Sequence, residues 1–214
     1  EPVMSQVPDP VVKEIALGRG LPPIEIGPAP RVGLIELGKP LPPALLDGDL
    51  AGKYWTRLYA DAQPIEGFMF EQPPVLALVA GGPYRDFGYA NPGAPVPKEI
   101  RKRAVQRARA NKLTVSKIVI TSPALRTPGK GGVGVGSRFG ELVEAFGDIE
   151  ARRFPGLWEE PTCIVVVSAK THRTGFFFKR CTMVADGGIR PRTVIADEEP
   201  VIRVVLSVVE SAVD

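Results

Sequence analysis

Residues 117–148 read KIVITSPALRTPGKGGVGVGSRFGELVEAFGD, and the fold is built out from them. The β-branched run at 117–121 predicts a strand. Two prolines and three glycines make 122–132 a loop, and 133–136 reads as a short strand or turn. Phe139, Leu142, Val143 and Phe146 then recur at helical spacing, which predicts an amphipathic helix. Ser137 is the expected N-cap, because its hydroxyl can accept from amides of the first turn. Gly147 supplies the positive-φ stop.

The segment KGGVGVGS at 130–137 must be set against the phosphate-binding loop KGGVGK[ST]. That loop needs a lysine on the β/γ-phosphates and a hydroxyl on magnesium directly after it. Here Val135 stands in the lysine's place and Gly136 in the hydroxyl's, and eight residues separate the loop from its strand. The glycines therefore read as shaping a strand-to-helix turn. No nucleotide and no other cofactor is expected.

The chain has 214 residues, 44% hydrophobic and 24% charged, which suits a globular protein with a substantial core. Gly 23 and Pro 23 predict many turns and little long helix. The net charge of +3 is too mild to demand a nucleic-acid or membrane partner by itself. No apolar run is long enough for a membrane span. The sequence begins at Glu1 rather than methionine, which reads either as an arbitrary start or as a mature chain whose signal peptide is gone. Cys163 and Cys181 lie in two apolar runs joined by KTHRTG. A hairpin centred near His172 sets them directly opposite, as disulfide candidates in an oxidising compartment; the alternative is two buried thiols. A periplasmic or secreted location is expected, with a lipid anchor before residue 1 as one variant, and the cytoplasm remains the alternative.

Residues 1–30, rich in proline, are expected to be extended, as a surface segment or a tether. Residues 31–95 form a first α+β unit: strands at 32–37, 54–59, 67–70 and 75–80, and a short helix starting at Pro42-Pro43. Residues 96–114 are a basic helical insertion. There Ile100, Ala104 and Ala108 make a thin apolar stripe, while Lys98, Arg101, Lys102, Arg103, Arg107, Arg109 and Lys112 cover most of the circumference. Residues 115–214 form the second unit, whose last run, VIRVVLSVV at 201–209, should be a central strand. Ile35-Glu36-Leu37-Gly38 matches Val133-Gly134-Val135-Gly136 at an offset of 98. The expected fold is therefore α+β, an antiparallel sheet with a few short helices, arranged as two similar helix-plus-sheet repeats.

The pattern G[IV]x[IVL]GSxxxELxxxFG at 132–147 resembles a turn–helix signature of small bacterial envelope proteins. Its representatives are the lipoprotein of the outer-membrane barrel-assembly machine and the related β-lactamase inhibitor protein. The proline that often follows the final glycine is replaced by Asp148-Ile149. The resemblance implies a non-catalytic scaffold or inhibitor that binds another protein with one sheet face. It carries over no contact residue.

Catalytic material is thin. His172 falls in a predicted hairpin tip, a poor place for the fixed geometry of a triad. One histidine and two distant cysteines do not make a zinc site. Glu159-Glu160, Asp186 and Asp197-Glu198-Glu199 read as solvated loop charge rather than a hydrolytic pair, so a carboxylate hydrolase ranks third among the functions. Binding ranks first: an aromatic patch of Tyr84, Phe87, Tyr89, Phe154 and Trp158 for a protein partner. The rival is Arg101, Lys102, Arg103, Arg107 and Arg109 for a polyanion, either nucleic acid or anionic lipid. Nothing in the sequence specifies an oligomeric state.

Overall fold

In the computed structural model, residues 23–46, 53–58, 64–71, 73–83, 96–129, 131–147, 149–154, 162–185 and 191–208 are described. Strands β1 (Ile24–Glu25), β2 (Arg31–Val32) and β3 (Ile35–Glu36) form a small sheet, followed by a 3-10 turn at Pro43–Leu46. Strands β4 (Lys53–Leu58), β5 (Pro64–Glu71) and β6 (Pro74–Ala80) lead to helix α1 (Lys98–Arg109) and strand β7 (Thr114–Ile120). Helix α2 (Phe139–Phe146) precedes β8 (Ala151–Phe154), β9 (Thr162–Ser168) and β10 (His172–Phe178). A ribbon of β11 (Thr182–Val184) and β12 (Arg192–Val194) then leads to β13 (Val201–Val208). The main sheet has eight antiparallel strands in the order β4-β5-β6-β7-β13-β10-β9-β8. The fold is thus α+β and mostly antiparallel sheet, and β13 is central, as its long apolar run, interrupted only by Arg203 and Ser207, predicts.

One face of this sheet carries the core. Phe68, Ala77, Ile118, Ile120, Phe176, Phe178, Val204 and Leu206 meet Leu45, Ile100, Ala104, Ala108 and Leu142 from the helices. The alanines let α1 lie close on the sheet. Its end is closed by Asn111 at φ +55, a residue that tolerates the left-handed region, with the Lys112 amide donating to the Arg107 carbonyl at 2.9 Å. On α2, Phe139 and Phe146 pack on Phe178 and Phe176, with ring centroids 5.8 and 5.5 Å apart. Val143, predicted on the apolar face, is instead 39% exposed.

The turn before α2 differs from expectation in its cap. Arg138, not Ser137, is the N-cap residue. The first-turn amides of Phe139 and Gly140 donate to the backbone carbonyls of Glu199 and Asp197, while the Arg138 amide donates to Glu141 Oε2 at 2.8 Å. Ser137 faces inward, where its Oγ accepts from the Gly134 amide at 3.1 Å and from Arg126 Nη1 at 2.6 Å. The glycines are there for close approach: a Cβ on Gly132 would sit 2.1 Å from the Thr127 carbonyl oxygen, and one on Gly134 2.3 Å from that of Leu125. Of the two alternatives for 133–136 the structure takes the turn, with a single bridge between Gly134 and Arg126. Gly136 and Gly147 have φ of +86° and +79°.

Three further expectations are corrected. The predicted strand at 32–37 is a tight hairpin, β2 and β3, turning at Gly33 (φ +57). The apolar run 176–185 breaks after Phe178 into β10 and β11. The β9–β10 hairpin pairs Ser168 with Arg173, so it turns before His172 and sets Cys163 opposite Phe178 rather than opposite Cys181. The disulfide nevertheless forms: Cys181 lies just beyond the strand and reaches back to Cys163, Cα to Cα 6.1 Å. His172 opens β10 and is 4% exposed, not solvated. Its Nε2 donates to the Ile26 carbonyl at 3.0 Å, which pins the strand β1 region to the main sheet.

Candidate functional site

The strands place a second apolar group on the sheet face turned away from the helices. Leu76, Leu78 and Val119 are buried there, with Trp55, Ile65 and Val205 packed against them. Every member of this cluster comes from a strand of the main sheet. The cross-strand row Met69–Leu76–Val119–Val205–Gly175–Val166 runs through it. At Gly175 the neighbouring side chains close over the row, since a Cβ there would come within 3.0 Å of Ile164 and 3.1 Å of Phe177. A hollow of about 200 Å³ opens beside the row, lined among others by Met69, Leu76, Val119, Thr121 and Arg203. Arg203 also lies over the Phe177 ring, 5.8 Å from its centroid.

Charge on this face is unequal. Alternation along the strands places Lys53, Lys117, Arg152, Arg173 and Arg203 here; Glu71 is bound to Lys53 at 2.5 Å and Glu150 to Arg152 at 3.2 Å. The signal for this face was present in the sequence. VLALVA and VIRVVLSVV are apolar at nearly every position, so they put apolar side chains on both faces of the sheet. In the sequence these runs mark a strand at 75–80 and a central strand at 201–209, and the second face they imply was not followed.

Helix α1 presents the predicted stripe inward, with Ile100, Ala104 and Ala108 buried. Lys98, Arg101, Lys102, Arg103 and Arg109 are exposed. Arg107 turns back, and its Nη1 donates to the carbonyls of Gly81 at 3.0 Å and Gly82 at 3.2 Å, so it braces the helix on the β6 end. Beneath it the buried Glu66 carboxylate accepts from the Tyr54 hydroxyl. That carboxylate occupies the space a side chain at Gly82 would need.

Most of the other candidates fall outside the described residues. Tyr84, Phe87, Tyr89 and Trp158 lie outside the described residues, as do Glu159, Glu160 and Asp186; Phe154 is described as backbone only. Asp197 and Glu198 are exposed in a turn, and the buried Glu199 carboxylate accepts from the Arg180 amide at 3.2 Å and pairs with its Nε at 3.4 Å. The described residues hold no His, Cys, Asp and Glu grouping fit for a metal ion. Five of the six amides at 132–137 are taken within the chain: Gly132 on Gly129, Val133 on Thr127 Oγ1, Gly134 on Ser137, Gly136 on Val201 and Ser137 on Gly134. No helix among the described residues is long and apolar enough to cross a membrane. Comparison with models of protein families, with curated proteins and with solved structures finds no match.

Proposed function

We propose that this chain is a non-catalytic binding protein of the bacterial cell envelope or of the secreted set, and that it holds another protein against the sheet face opposite its helices. The observation that carries this reading is the apolar row from Met69 to Val166, flanked by more cations than acids, with the acids Glu71 and Glu150 each paired to a neighbouring cation. Magnitude supports it too. Eight strands at about 4.8 Å spacing and seven residues at about 3.3 Å make a face of roughly 900 Å², comparable to one partner's share of a stable interface. The partner's chemistry follows from the charge: an apolar centre with an acidic rim. The disulfide between Cys163 and Cys181 favours an oxidising compartment. The turn–helix resemblance at 132–147 points to the envelope.

The same reading takes the chain as two similar repeats, and the pairing supports it. Gly38 donates to Val115 and Val115 to Lys39; Gly136 donates to Val201 and Val201 to Ser137. Pro40 bridges Thr114 as Arg138 bridges Pro200. Strand order is mirrored about the β7–β13 pair, where Val119 faces Val205. A half-turn about that point exchanges Leu76 with Gly175 and Met69 with Val166, so each repeat contributes half of the binding row.

The test is photo-crosslinking in the native host with the full chain, placing the reactive residue at Met69, at Val166 or, as a control, at Glu144 on the outside of α2. The expected result is one adduct of discrete mass from both sheet positions, absent from Glu144 and abolished by Lys117→Glu with Arg173→Glu. Equal adducts from all three positions, or none, would refute the reading.

A further inference from the structure

The exposed surface of α1 lies on the helix-bearing side of the sheet, apart from the apolar row. At 100° per residue, Lys98, Arg101, Lys102 and Arg109 fall within a sector of about 100° and along about 16 Å of helix axis. That sector points roughly 120° away from the buried line of Ile100, Ala104 and Ala108. Glu99, the one acid of the helix, lies outside it. The side chains of Lys98, Arg101 and Lys102 are exposed and form no ion pair or hydrogen bond among the described residues.

Their placement works against the helix itself. Lys98 and Arg101 occupy the first turn and Lys102 follows, where the positive end of the macrodipole repels cations. Self-consistency of the fold does not account for three unpaired cations there, and such local conflicts gather at functional surfaces. We infer that the Lys98–Arg101–Lys102 face of α1 is a docking surface for an anionic lipid bilayer. Lys98, Arg101, Lys102 and Arg109 share one flank of a rigid helix, a shape that meets a plane, while the exposed Arg103 lies beyond Glu99 on another side. The helix has no aromatic residue to stack on nucleic-acid bases. Because its apolar stripe is already buried in the core, binding is peripheral and electrostatic, without insertion.

The test floats the full chain with vesicles of phosphatidylcholine alone and of equal parts phosphatidylcholine and phosphatidylglycerol, at low and at high salt, with duplex DNA as competitor. The protein is expected on the anionic vesicles only, and to leave them at high salt. Neutralising Lys98, Arg101 and Lys102 to Gln should weaken that partition by about 100-fold, taking roughly five-fold per cation. The melting temperature should stay level or rise, since the cations oppose the dipole. Neutralising Lys170, Lys179 and Arg192 instead removes the same net charge elsewhere and should change partition several-fold at most. No partition of the unaltered chain onto anionic vesicles, equal loss from both triple variants, or preferred binding to the DNA would each overturn the inference. None of these outcomes touches the sheet-face reading, whose crosslinks are made on the other surface.

Discussion

Gly134 and Gly131 are both in the loop before α2 and are there for different reasons. Gly134 has no room for a side chain, because the Leu125 carbonyl oxygen would be 2.3 Å from its Cβ. Gly131 has open space around it but a φ of +78°. Gly134→Ala should therefore lower unfolding free energy by about 3 kcal/mol, since two backbones must part, whereas Gly131→Ala should cost about 1 kcal/mol for the left-handed residue alone. Urea unfolding of both variants checks the contrast. Sequence reading identified these glycines as architectural, and the structure separates the two mechanisms. His172 shows the limit at this scale. Its neighbours Thr171 and Arg173 are polar, so local pattern placed it in a turn; the acceptor that buries it, the Ile26 carbonyl, is distant in sequence.

At the scale of elements, the two helices were legible because an amphipathic stripe depends on a period the chain states outright. Their caps were less so. Ser137 has the side chain of an N-cap, but Glu199 and Asp197 supply carbonyls to the first turn of α2, leaving Ser137 to hold Gly134 and Arg126. Ser137→Ala should thus cost roughly 1–3 kcal/mol by orphaning those donors. In amide exchange the loss of protection should appear at Gly134, with the first turn of α2 unchanged. Weakened protection at Phe139 and Gly140 instead would restore Ser137 as the cap.

For the whole molecule, the sheet order sets the gradient of stability. β7 and β13 are flanked on both sides, and β4 and β8 are edges. Native-state exchange should accordingly be slowest for Ile118, Val119, Val204 and Val205, and faster in β4 and β8. The disulfide acts on the unfolded chain, closing a loop with a sequence separation of 18. Replacing Cys163 and Cys181 by Ala should remove about 3 kcal/mol, and reductant should shift the denaturation midpoint of the parent chain but not of the variant.

Much of this protein was in its sequence: an antiparallel α+β fold, a central final strand, two helices with their buried stripes, a cationic insertion and a cysteine pair able to bridge. These depend on periods of two and 3.6, on glycine's freedom and on charge, all of which act within a few residues. The order of strands, the hairpin register that put Cys163 opposite Phe178, the burial of His172 and the apolar row across the second sheet face were decided only by tertiary structure. Each rests on partners far apart in the chain, brought together by long-range pairing that local pattern does not encode.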